Sequence, residues 1–124
     1  MGKLRDRLND SQRSGVYRVG SDAEVRVEAP EAVPVDLDQP VFDAFAQALE
    51  FPQWFGRNWD ALEDCLTEKS AIVLIRNVPP EHFGVLADVL AAAAEYWKQQ
   101  GQPFFALFVD PQRQLPLPDL FREK

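Results

Sequence analysis

The side chains with the most chemical potential lie in one short stretch, FPQWFGRNWDALEDCLT, residues 51–67. Asp60 and Asp64 stand four apart, so a helix puts both carboxylates on one face, with Glu63 beside them. Such a set can hold a divalent cation or act as acid and base. It can meet a cationic protein surface, or it can simply be solvated. Like charges at this spacing repel by about 0.2–0.5 kcal/mol on an exposed helix, so folding alone gives no reason for the pair. Elsewhere the chemistry is thin. The chain has one histidine, His82, and one cysteine, Cys65. His82 has no partnered nucleophile and reads as a surface or capping residue. Cys65 borders an apolar stripe and reads as packing. No Gly-rich phosphate loop, CxxC pair or HExxH is present. The expectation is therefore a protein that is not an enzyme and takes no cofactor or metal.

The elements around these residues are readable. Pro52 fixes its own φ and pushes Phe51 out of helix, so a preceding helix must stop there. Gly56 falls where a loop needs a positive φ or a close backbone approach. Asn58 is a good N-cap, and Asp60 then lies in the first helical turn, where the helix dipole favours an anion. Trp59, Leu62 and Leu66 follow helical spacing and are expected to face a core.

Charge placement narrows the partner class. The 124 residues carry a net charge of −7. From Asp36 to Glu68 there are eight acids and one base, Arg57, so this segment alone accounts for −7 and the rest sums to zero. Phosphate binding needs Lys and Arg, which argues against nucleic acid. A negative lobe suits a basic protein surface. Within it, Asp36, Asp38, Asp43 and Glu50 precede the loop and are expected to be rim or remote, solvated charges. A single cysteine excludes an internal disulfide, and MGKLRDRLNDSQRSG has no apolar run for a signal or anchor. A cytoplasmic protein without membrane contact is expected.

Along the chain, residues 1–14 read as a flexible tail, 15–110 as one domain and 111–124 as a proline-rich C-terminal tail. Residues 15–19 (GVYRV) and 24–28 (EVRVE) alternate apolar and polar, which predicts a hairpin or two short edge strands. Parallel strands are predicted at 33–37, 71–76 and 103–109. Helices are predicted from Asp38 or Gln39 onward, over about 58–68, and over 80–99 with Gly101 just beyond the last turn. This order describes an α/β fold: a small three-stranded parallel sheet packed with helices, with an extra N-terminal strand or hairpin.

The run from Trp54 to Thr67, WFGRNWDALEDCLT, resembles the binding loop and second helix of the barstar family of intracellular ribonuclease inhibitors. The family pattern is aromatic-aromatic-Gly-x-Asn-x-Asp-Ala-Leu-x-Asp-Cys-Leu, and every fixed position of it is met. Outside that run, from about Val33 to Val109, the order of elements agrees. The resemblance implies an acidic loop and helix that enter a ribonuclease active site in place of phosphates. It makes Asp64 the deepest plug, Asp60 a second acidic contact and Trp54 an aromatic packed on the enzyme. Gly56 and Asn58 would hold the loop, Phe55, Arg57 and Glu63 would complete the partner-binding set, and Trp59, Leu62 and Leu66 would support it. Three features depart from the family: Arg57 where it carries an acid, Glu63 in place of a bulky aromatic, and Trp54-Phe55 in place of two tyrosines. The implied partner is a basic, extracellular-type, barnase-like ribonuclease bound by a monomer. An acidic module for a different basic protein, or carboxylate metal chemistry, stays open on the residues alone.

Overall fold

A computed structural model of the protein describes residues 8–52, 54–112 and 114–118. A 3-10 turn at Ser11–Arg13 leads into β1 (Gly15–Val19), α1 (Asp22–Glu28), β2 (Val33–Asp36), α2 (Val41–Leu49), α3 (Trp59–Leu66), β3 (Ile72–Arg76), α4 (Pro80–Gln99) and β4 (Phe105–Val109). The strands form one parallel sheet in the order β1-β4-β3-β2. The fold class is as expected, an α/β layer structure with buried parallel strands. The sheet has four strands rather than three, because β1 joins it beside β4.

One local expectation is corrected. Residues 24–28 are not the second strand of a hairpin but part of α1. Ser21 caps that helix, its hydroxyl accepting from the Ala23 N–H at 3.1 Å. The Gly20-Ser21-Asp22 run is thus a helix start rather than a hairpin turn. Val25 and Ala29, four apart, are both fully buried, whereas Val27 is 80% exposed. The alternation of Val25 and Val27 mimics a strand, but one helical face uses only the first of them.

Topology explains why α1 lies where it does. The connections β2–α2–α3–β3 and β3–α4–β4 step across the sheet in one direction, and their helices share one face. There Phe45, Leu62, Leu66, Leu86 and Leu90 pack on Val73, Ile75, Ala106 and Phe108. The connection from β1 to β2 runs the opposite way, from one edge of the sheet to the other. With right-handed crossovers its helix must cover the opposite face. Leu8, Val25 and Ala29 pack there with Leu74, Phe105 and Leu107. Both faces of β3 and β4 are therefore buried, as their near-continuous apolar runs require.

The sheet edges are protected. At the outer edge of β1 the Arg18 N–H donates to the Pro118 carbonyl at 2.9 Å, and Arg18 Nη1 donates to the Leu115 carbonyl at 2.9 Å. The buried Asp110 carboxylate ties this strap down, accepting from the N–H groups of Gln114 and Leu115 at 3.0 and 2.8 Å. At the other edge, exposed Pro34 stands in β2, where no ladder hydrogen bond is lost. Of the expected tails, residues 1–7, Arg113 and 119–124 lie outside the described residues. Leu8 and Ser14 are buried, and Leu115 and Leu117 pack on the helical-face core.

Asp36, at the end of β2, does more than carry a remote charge. Its carboxylate accepts from Asn77 Nδ2 at 2.8 Å and from the Asp38 N–H at 3.1 Å, and Arg76 Nη2 approaches at 3.5 Å. Arg76 Nη1 also reaches Asp22 at 3.2 Å. This small network fixes the left-handed turn at Asn77, φ 62°, from which α4 departs. The Asn77 hydrogen bond, then that of Asp38, holds the Asp36 carboxyl below the ordinary carboxylate range. A depressed folded-state value gives stability that is present above the unfolded value and lost as pH falls through the folded one. Urea midpoints should therefore show wild type more stable than Asp36→Asn at neutral pH, with the gap closing in acid. A gap independent of pH would contradict this.

Candidate protein-binding face

The loop that carries the candidate residues rests on aromatic packing. Phe55 is 4% exposed. Its ring meets Phe51 edge-on at 5.0 Å and Phe42 at 6.4 Å between centroids. Phe42 also meets Trp59 at 4.8 Å, and Trp59 lies 6.1 Å from His82 at the start of α4. Phe55, expected among the contact residues, is turned inward and gives the face its base. Trp54, its neighbour, is 77% exposed. One ring anchors the loop and the adjacent ring is presented to solvent.

Asn58 starts α3. Its Oδ1 accepts from the Ala61 N–H at 2.7 Å, and its Nδ2 donates to the Gly56 carbonyl at 3.2 Å. One side chain thus closes the helix N-terminus and ties back the loop before it. Gly56 satisfies the second of its two expected reasons. Its φ is not positive, but a Cβ there would stand 3.2 Å from Asn58 Nδ2 and 3.4 Å from Ala61 Cβ. The positive φ belongs to Arg57, at 50°. Loss of the cap in Asn58→Ala should cost about 0.5–2 kcal/mol of stability, read as a drop in the thermal midpoint. A variant as stable as wild type would show that the cap is dispensable.

Below the cap, Leu62 and Leu66 are buried and Trp59 is half-buried, which orients the helix. Burying each leucine is worth about 1.5–3 kcal/mol. Trp97 Nε1 donates to the Leu66 carbonyl at 2.9 Å and ties the last turn of α3 to α4. The same rotation leaves Asp60, Glu63 and Asp64 exposed. Among the described residues, no cation pairs with any of these three carboxylates.

A cleft of about 410 Å³ opens beside the helix, lined by Trp54, Gly56, Asp64, Cys65, Thr67 and Glu68 among others. Burial, then the charges of Glu68 and Asp64, push the Cys65 thiol above its ordinary value. It stays protonated at neutral pH and is a poor nucleophile. Among the described residues no three His, Cys, Asp or Glu side chains converge to hold a metal ion.

Of the acids expected to be rim or remote charges, two are also held in internal ion pairs. Asp36 belongs to the Arg76 network, and Asp43 on α2 accepts from Arg57 Nε at 2.7 Å. The contact of Asp43 with Arg57 is what sequence reasoning missed. Asp43 lies 14 positions before Arg57, and nothing in the spacing signals the contact. No described helix is long and apolar enough to cross a membrane.

Residues 35–109 match the sequence model of a family described as barstar (barnase inhibitor). Neither a curated protein nor a solved structure matches the chain.

Proposed function

Because this chain belongs to the barstar family, we propose that it is an inhibitor that binds a basic ribonuclease and closes its active site with the loop and helix from Trp54 to Asp64. The observation that carries the reading is the contrast within α3. Its apolar side chains are buried, while Asp60, Glu63 and Asp64 stand exposed next to an exposed tryptophan, with no cation on them among the described residues. An enzyme that cleaves RNA must bind phosphates and so lines its cleft with Arg, Lys or His. Asp64 occupies the phosphate position at the centre, and Asp60 adds a second anionic contact. Trp54 packs on the enzyme at the edge. Gly56 and Asn58 hold the loop in the bound shape, and Phe55 supports it from beneath. Glu63 adds negative charge beside the aspartates.

A cytoplasmic setting suits a free, half-buried Cys65. The inhibitor would there protect its cell from a ribonuclease destined for export.

The test is capture on the immobilised protein, at low salt, from the cells that make it and their medium, followed by a ribonuclease assay with and without the inhibitor. Stoichiometric loss of RNA cleavage supports the reading. Capture of a basic protein whose activity is untouched would instead identify an acidic binding module of another kind. Because the acidic lobe steers encounter, the association rate should fall steeply between low and physiological salt, with the dissociation rate changing less. Stopped-flow traces with a flat association rate would contradict the steering.

A further inference from the structure

The acidic face contains one cation that its own stability does not require. Arg57 is the single base among the eight acids from Asp36 to Glu68. Its φ of 50° lies in the left-handed region, which glycine or asparagine adopts at lower cost. Its Nε donates to Asp43 Oδ1 at 2.7 Å, yet the two side chains keep 56% and 50% of their surface exposed. A pair in that much water is worth about 0–1 kcal/mol, too little to explain placing an arginine there. What the contact does is set a direction. With Nε engaged, the guanidinium plane is held, and Nη1 and Nη2 have no hydrogen-bond partner among the described residues. Arginine presents its donors as a rigid fork that matches a carboxylate. The fork stands directly before Asn58, at the N-terminal end of the helix that carries Asp60 and Asp64.

We propose that Arg57 is a specificity residue that pairs with a carboxylate on the ribonuclease, and that Asp43 is its positioning residue. The inference rests on the inhibitor reading and refines it. The partner is basic where Asp60 and Asp64 dock, and it carries an Asp or Glu where Arg57 docks. A ribonuclease that is basic at both places meets like-charge repulsion at Arg57 and is discriminated against.

The probe is the ribonuclease captured as above and purified, titrated against wild type, Arg57→Gln, Arg57→Glu, Asp43→Asn and Asp64→Ala. Arg57→Gln should weaken binding about tenfold, Arg57→Glu more, and Asp43→Asn by a smaller factor. Thermal midpoints should stay close to wild type. The deciding readout is coupling. Neutralising one particular Asp or Glu of the ribonuclease should abolish the effect of Arg57→Gln, and should reduce that of Asp43→Asn, which a merely structural role would not do. If both Arg57 variants bind as tightly as wild type while Asp64→Ala does not, Arg57 reads nothing and the inhibitor reading stands. A loss in Arg57→Gln that couples to no carboxylate of the partner overturns the proposal in the same way. If Asp64→Ala also binds like wild type, or if no ribonuclease is captured, the inhibitor reading falls and this inference falls with it.

Discussion

Asp64→Ala should weaken binding to the captured ribonuclease by at least about 2–5 kcal/mol and leave the free protein folded. Barnase–barstar pairs themselves set that scale, and the result expected for this chain is the rank order, Asp64 above the acids that precede the loop. The reason for the size is what remains in the complex. Removing Asp64 leaves the cations of the enzyme's cleft desolvated and without their anion, which costs more than the pair itself was worth. The reason the fold survives is equally local. The Asp64 side chain is exposed on the outer face of α3, and no cation pairs with it among the described residues. Its repulsion from Asp60 is relieved, which favours the free helix by about 0.2–0.5 kcal/mol. Function and stability thus pull in opposite directions at one residue. The comparison variant is Asp38→Asn, because Asp38 is exposed and its side chain, unlike those of Asp36 and Asp43, is not engaged among the described residues. It should change affinity by less than about 1 kcal/mol. Calorimetric titration and thermal melting of both variants decide the matter. Equal affinities, or an unfolded Asp64→Ala, would remove the central residue of the inhibitor mechanism.

Deletion of residues 1–31 should abolish cooperative folding even though the family-matched segment 35–109 stays intact. The deletion takes β1 from the sheet and α1 from its second face. Leu74, Phe105 and Leu107 would then lose their cover of Leu8, Val19, Val25 and Ala29. Full burial of a Val or Leu side chain is worth about 1.5–3 kcal/mol. Three such residues among those removed represent about 4.5–9 kcal/mol, while the whole stability of a domain is about 5–15 kcal/mol. The deletion also exposes β4 as a long apolar sheet edge, a site for aggregation. A truncated protein that melts cooperatively near the wild-type midpoint would show that the N-terminal layer is an ornament on a self-sufficient domain.

The helix that bears the acids was legible from local rules alone. Asn58 as cap, Asp60 in the first turn and Leu62 and Leu66 at core spacing are all decided within a dozen residues, where capping and periodicity act. Strands β3 and β4 were legible for a similar reason. A parallel strand covered on both faces must be apolar throughout, and Ile72–Ile75 and Phe105–Val109 have no other use for such a run. Charge bookkeeping, too, needs no coordinates: the sequence alone places the −7 lobe between Asp36 and Glu68. Tertiary structure decided the rest. Residues 24–28 alternate as a strand does, and burial of Val25 and Ala29 against Leu74, Phe105 and Leu107 selected a helix instead. The Asp43–Arg57 contact and the Asp22–Arg76–Asp36 network join residues 14 to 54 positions apart. No local propensity couples positions so distant, because only the packing of α2 beside the loop, and of α1 and β2 beside β3, brings them within reach. The same holds for Phe55 and Trp54. As adjacent aromatics they are equivalent in the sequence, and it is the cavity between Phe42 and Phe51 that takes one ring inward and leaves the other exposed to solvent.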